Sequence, residues 1–170
     1  MKLENASVAT GRVASLHLHP TTGGEPFQKI ESCELVAGKG ILNNPRYFAR
    51  VSQSGRPSRR QVTLMEREQI AEHAQTLGLT DIPPGAVRSN VETSGINLIE
   101  LIGQEISIGE AILHVYAPRD PCAKMDKVCQ GLRELMLENR QGVLAEVVQG
   151  GRVSNGDTIL LHRPQELLSK

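Results

Sequence analysis

The stretch Glu105-Ile-Ser-Ile-Gly-Glu-Ala-Ile-Leu-His-Val-Tyr-Ala117 decides the fold. Glu105 to Ile108 and Ala111 to Ala117 read as strands joined by the tight turn Ile108-Gly-Glu-Ala111. The second of them is apolar at positions that face both ways across a pleat, and Gly142-Val-Leu-Ala-Glu-Val-Val148 repeats that pattern. A strand with two apolar faces is expected to be covered on both sides, so both segments should lie centrally in a sheet.

Further strands are expected at Gly11 to His19, Lys29 to Val36, Arg59 to Leu64, Ile96 to Leu101, Val143 to Gln149 and Thr158 to His162. Turns Gln149-Gly-Gly-Arg152 and Ser154-Asn-Gly-Asp157 punctuate the last of these. Only two helices are convincing. One follows Thr63-Leu-Met-Glu66, whose Thr and Glu have capping-box spacing, and carries Ile70, Ala74 and Leu77 on one face up to Gly78. The other starts with Asp120 as cap and Pro121 in the first turn, continues through Met125, Val128, Leu132, Leu135 and Met136, and ends near Asn139 to Gly142. Asp81 to Gly85 forms a rigid proline loop between them. Many short strands, tight turns and two helices predict a mainly β protein, a closed or nearly closed β-barrel with the helices packed outside. The 170 residues are expected to make one domain, 1–170, with its core at about 11–162, and no internal repeat has a fixed period.

Composition excludes several classes of function. Lys plus Arg and Asp plus Glu each number 19, so no global field attracts nucleic acid or an anionic membrane. With two Phe, two Tyr and no Trp, base stacking has little to use. No apolar run reaches membrane-spanning length, and MKLENASVAT lacks the apolar heart of a signal peptide. The three cysteines, an odd number, suit free thiols in a reducing cytoplasm.

Cys122 draws notice within Pro118-Arg-Asp-Pro-Cys-Ala-Lys124. At the second position of a helix, the partial positive charge and unpaired N–H groups stabilise a thiolate; Arg119 and Lys124 add positive charge nearby, while Asp120 and Asp126 oppose it. A small buried hydrophobe fits the position equally well. Cys129, mid-helix, and Cys33, in a strand, read as structural. Seven residues along a helix is about 10.5 Å, too far for a disulfide between Cys122 and Cys129. His17 and His19 share one strand face and are expected to be solvent-facing or structural, His73 and His162 to be superficial, and His114 to be hydrogen-bonded. Arg88-Ser-Asn-Val-Glu-Thr-Ser-Gly95 reads as a polar loop; Arg46 with Tyr47, and Arg59 with Arg60, supply further guanidinium groups. Together with the thiol, these are parts of an anion-binding pocket.

The order GAVRSNVETSGINLIELIGQEISIGEAILHVYAPRDPCAKM followed by GVLAEVVQGGRVSNGD resembles the MOSC domain, found at the C-terminus of molybdenum cofactor sulfurases and as free-standing small proteins. The resemblance runs from about Gly11 to Thr158. Its specific parts are Asn90, Thr93 to Gly95, Ile108-Gly109-Glu110, Pro121-Cys122, Gly150-Gly151 and Gly156-Asp157. It implies a β-barrel that handles sulfur or molybdenum cofactor, with Cys122 ligating molybdenum or carrying persulfide sulfur. Arg46, Arg60, Arg88, Asn90, Thr93, Ser94, Arg119 and Lys124 are then the candidates for holding the pterin and its phosphate.

The implied activity is reduction of small N-hydroxylated substrates. Electrons would come from a separate electron-transfer protein, because no flavin or iron–sulfur motif is visible. The alternative is a persulfide carrier loaded by a cysteine desulfurase, or a cofactor-binding module without turnover. One departure stands out: the family usually shows Gly-Asp after the equivalent of Gly40-Ile41, and here Leu42-Asn43-Asn44-Pro45 follows, implying an altered pocket.

Overall fold

The computed structural model describes residues 10–163. Among the described residues there are eleven strands: β1 (Thr10–Leu18), β2 (Gln28–Ile30), β3 (Ser32–Val36), β4 (Gly40–Ile41), β5 (Val62–Glu66), β6 (Val91–Ser94), β7 (Glu105–Ile108), β8 (Ala111–Pro118), β9 (Val143–Gln149), β10 (Gly151–Ser154) and β11 (Thr158–His162). β1, β11, β7, β8, β9, β5 and β6 pair in that order, and β6 returns to β1, which closes a barrel. β2 extends β1 at its far end, while β10, β3 and β4 form a small separate sheet. Every pairing in the barrel is antiparallel except β5 with β6, whose crossover is helix α1 (Arg67–Thr76). The expected β-barrel is therefore present, with short helices outside it.

The predicted hairpin at 105–117 is found, Ile108 opposite Ala111, and β9 continues the sheet beyond it. The double-sided burial expected for β8 and β9 is only partial. Ala111, Leu113 and Val115 fill the barrel, whereas Ile112, His114 and Tyr116 on the outer face are half-buried. The strand covered on both faces is instead β5: Val62 and Leu64 enter the barrel interior, and Met65 enters a second apolar cluster outside it. That second cluster joins Ile70 and Ala74 of α1 to Ile82, Val87, Met125, Leu132 and Met136. It seats the helical side of the molecule on the barrel wall.

Local chemistry overrode several sequence expectations. Thr63 and Glu66 form no capping box, because both belong to β5; α1 starts at Arg67 with no side-chain cap. The strand expected at Lys29 to Val36 breaks at Glu31 and divides between the two sheets. Ile96 to Leu101 ends in a single 3₁₀ turn over Ile99–Leu101, and the polar loop before it contains strand β6. The second helix is broken. Only α2 (Met125–Val128) and α3 (Leu132–Leu135) are helical, separated by extended Cys129 and by Gly131 at φ 94°, a conformation glycine adopts without strain. The chain then turns into β9 at Gly142, where a Cβ would strike the Leu64 carbonyl, so only glycine allows β9 to approach β5 there.

At the parallel pairing, one side chain locks three strands. The Asn90 Oδ1 accepts from Thr63 N–H and from the Thr63 hydroxyl, each at 3.1 Å, and its Nδ2 donates to the His17 carbonyl at 3.1 Å. The Asn90 N–H in turn donates to Thr63 Oγ1 at 2.9 Å. Asn90→Ala would strand a buried N–H, a hydroxyl and a carbonyl. Urea unfolding of this variant should show a loss of about 3 kcal/mol, whereas Ser94→Ala should shift stability by less than about 0.5 kcal/mol.

Candidate functional site, an arginine cluster around Cys122

The ends of β1 and β8, the loop 85–89 and the turn after β4 converge beside Cys122. Arg119, at the end of β8, is 6% exposed and has no carboxylate partner. Its backbone N–H donates to the Gly142 carbonyl at 3.0 Å, which fixes the strand end. Its guanidinium donates to the Ser89 hydroxyl at 2.9 Å and to the Val87 and Arg88 carbonyls at 3.3 and 3.0 Å. Burial above all, then the neighbouring Arg60, pulls its pKa down to about 10. Arg88 is also lowered by burial, and at both arginines the Cys122 thiol is among the groups acting in the opposite direction.

The loop that carries Arg88 is held from its other side as well. Glu92, fully buried on β6, accepts from Arg67 at 3.0 Å and from the Gly85 N–H at 2.8 Å. Arg67 also donates to Asp81 at 2.6 Å, so the expected rigidity of Asp81 to Gly85 has a concrete source. The His17 ring nitrogen Nδ1 bonds the Ser89 carbonyl at 2.9 Å. Arg88 itself sits at φ 63°, donates to the Glu25 carbonyl at 3.2 Å and lies 4.8 Å above the centre of the Phe27 ring.

His19 occupies the centre of the cluster. Of the two alternatives expected, solvent-facing or structural, its burial fits the second, with ring centroids 4.4 Å from Phe27 and 4.1 Å from Tyr47. Asn44 Oδ1 accepts from its backbone N–H at 2.8 Å and from Nδ1 at 3.1 Å. With the proton on Nδ1, Nε2 carries the lone pair. Burial chiefly, with Arg119, Arg88 and Arg46 adding to it against the Asn44 bond, lowers the His19 pKa to about 4. Arg60 and Arg50 stack on Tyr47 at 5.6 and 5.3 Å. Two donors remain closed off from solvent without a partner, Asn44 Nδ2 and Arg60 Nε.

The sequence candidates thus separate into groups. Arg46, Arg60, Arg88 and Arg119 gather around His19 and Cys122. Cys122 is exposed on the loop before α2, three residues short of its start, so the expected helix N-terminus is absent and its charge environment comes from the arginines. Lys124 lines an adjoining cleft of ≈ 510 Å³ together with Arg88 and Phe27. Asn90 has both ends of its amide committed within the protein. Thr93 is buried and Ser94 half-buried further along β6, roughly 10–13 Å from Asn90 at the rise of a strand and towards Arg12. Arg59 turns away to Glu146 at 3.0 Å and to the Tyr116 ring. His73, expected at the surface, is buried and bonds the Arg140 carbonyl at 2.9 Å. Cys33 is part of the core packing, as expected, and burial pushes its thiol up to about 11.

Sequence reasoning missed His19, Asn44, Tyr47 and Phe27 as site residues. One available signal was charge: Lys39, Arg46, Arg50, Arg56, Arg59 and Arg60 fall between residues 35 and 65 with no Asp or Glu among them. In a chain of zero net charge, such a segment marks a local excess of positive charge.

The fold is that of a small closed barrel, mixed in its pairing, with a thiol and several arginines at one rim. Residues 22–160 match the MOSC domain family model, and the chain belongs to that family. No curated protein matches it by sequence. Among solved structures, the YuaD protein of Bacillus subtilis superposes with a TM-score of 0.75 at 23% identity, covering 92% of this chain and 97% of that one. YiiM from Geobacillus stearothermophilus gives 0.68 at 15% identity, with 90% and 75% covered. YiiM from Escherichia coli gives 0.63 at 21% identity, with 89% and 70% covered. At these identities the likeness is one of fold. Among the described helices, none is long and apolar enough to cross a membrane.

The state of His19 has a measurable consequence. Its folded pKa of about 4 lies below the ordinary 6.5, so between those values the unfolded chain holds more protons. The stability of the neutral ring is fully present above 6.5 and is lost as pH falls from 6.5 to about 4. Chemical denaturation across that window should show a fall of about 3 kcal/mol from this group. The slope should flatten in His19→Gln relative to the unaltered protein.

Proposed function

We propose that this chain binds molybdenum cofactor at the Cys122 cluster and reduces N-hydroxylated small molecules. The observation that carries the proposal is Arg119, a buried guanidinium with no carboxylate partner, beside an exposed thiol. A buried cation of this kind asks for an anion, and a thiolate is a soft ligand suited to a heavy metal.

The residues present fit the group. Arg46, Arg60, Arg88 and Arg119 supply positive charge for a phosphate and a metal-bound dithiolene, and the orphaned donors Asn44 Nδ2 and Arg60 Nε await acceptors. Among the described residues no three His, Cys, Asp or Glu side chains gather as metal ligands. A metal held here would therefore take Cys122 as its single protein ligand and the rest of its coordination from the organic part of the cofactor. The bound cofactor would supply two-electron redox chemistry. The chain's own contribution would be to hold the anionic group and to present His19 Nε2 as a neutral acceptor able to take and return a proton.

Exposure of Cys122 favours a second reading. A thiol open to solvent can be reached by another protein, as a persulfide carrier loaded by a cysteine desulfurase requires.

Molybdenum content by elemental mass spectrometry separates the readings, on protein purified from cells replete in the cofactor. Near-stoichiometric metal that falls at least about tenfold in Cys122→Ala, with unfolding midpoint unchanged, is the expected result. Metal retained in that variant removes Cys122 as the ligand. Absence of metal, with a mass gain of one sulfur atom on Cys122 after incubation with a sulfur donor, establishes the carrier instead.

A further inference from the structure

The cleft beside the cluster has a chemistry of its own. Its walls are flat and rigid: the rings of Pro26, Pro83 and Pro84 and of Phe27, closed by Ala86 and Val128. The 81–85 wall is held in place by Arg67 through Asp81 and the Ile82 carbonyl, and by Glu92 through the Gly85 N–H, so the cleft is formed before any ligand arrives. At its mouth stand Lys124 and Lys127 on the α2 segment, neither of them ion-paired, against the one carboxylate of Glu25. Arg88 belongs to both places, because it lines the cleft and acts electrostatically with Cys122.

We propose that this cleft binds a flat aromatic or heteroaromatic anion, its ring between the proline and phenylalanine walls and its carboxylate or phosphate on Lys124 and Lys127. Proline and phenylalanine faces accept a planar ring with little loss of side-chain freedom, and ≈ 510 Å³ is ample for one or two fused rings. Two unpaired ammonium groups facing a single carboxylate leave a net positive mouth that a neutral ligand does not satisfy. Resting on the cofactor-dependent reading of the neighbouring cluster, the cleft makes N-hydroxylated aromatic acids better substrates than their neutral amides or bare bases. Arg88, which lines the cleft and acts electrostatically with Cys122, is the residue the two places share.

The binding step needs no cofactor and can be tested apart from it. Backbone ¹H–¹⁵N spectra of the full chain, titrated with 2-naphthoate and with its neutral isostere 2-naphthamide, read both site and affinity. The expected result is shifts centred on Phe27, Gly85, Ala86 and Val128, with naphthoate bound about tenfold more tightly and the gap closing as salt is added. Lys124→Ala/Lys127→Ala should bring naphthoate down to the affinity of naphthamide. Equal affinity for the two ligands, or shifts that avoid the cleft, overturns the proposal. Because the titration is independent of metal content, loss of the molybdenum reading leaves it standing, and its own failure leaves the molybdenum measurement untouched.

Discussion

The guanidinium of Arg119 is buried with only neutral oxygens around it, and the rest of the site is arranged by that fact. Carrying a charge out of water costs several kcal/mol unless it is compensated, and an ion pair would be the usual answer. Here the compensation comes from the Ser89 hydroxyl and the carbonyls of Val87 and Arg88, so the positive charge is solvated by protein dipoles and left uncancelled. The same three bonds fix the 87–89 loop. They hold Arg88 in its left-handed conformation over Phe27, where Cys122 acts on it electrostatically. Charge and geometry are therefore set by one side chain.

The barrel makes this possible by bringing distant segments together where its pairing changes sense. β5 and β6 run parallel, and at that joint Asn90 stitches Thr63 to His17. β8 and β9 pair with register shifts at Ile112 to Leu113 and Val115 to Ala117, which bend the strands before Arg119 leaves the sheet. The outer apolar cluster then anchors α2 and α3 through Met125, Leu132 and Met136. Cys122 is thus presented by a loop tethered at both ends: Arg119 bonds Gly142 on one side, and buried Met125 plugs the cluster on the other. A helix terminus is not needed to position the thiol.

The architecture was legible because strand patterns and turn residues are local. The 105–117 hairpin, β9, β11 and most of β1 lie where alternation, Gly-Glu and Asn-Gly turns place them. What escaped depended on tertiary partners. Thr63 looks like a cap because Thr and Glu at that spacing often are one, yet the hydroxyl finds Asn90 across the parallel joint. The 91–94 segment looks like a loop because Glu92 and Thr93 are polar, yet Arg67 and the Gly85 N–H satisfy the carboxylate inside the fold. The second helix has helical apolar spacing throughout, but Gly131 breaks it where the chain must curl back to β9. Of the site, the arginines and Cys122 could be named from their chemistry. His19 could not, since its burial arises from Phe27 and Tyr47, residues from two other segments.

Asn44 explains why the arginines remain uncompensated. The family resemblance leads to an acidic residue in the segment after Gly40-Ile41, and this chain has Leu42-Asn43-Asn44 there. Asn44 Oδ1 receives both the backbone N–H and Nδ1 of His19, a task a carboxylate would perform equally well. A carboxylate at that point would also set a negative charge amid Arg46, Arg88 and Arg119, pairing them internally and favouring a charged imidazole. The amide does neither. It leaves three guanidinium charges without a carboxylate at that point, adds Nδ2 as one more donor without a partner, and keeps the His19 ring neutral with Nε2 as acceptor. The departure from the family pattern and the positive character of the site are then the same electrostatic choice, an amide in the place where a carboxylate would form an internal ion pair.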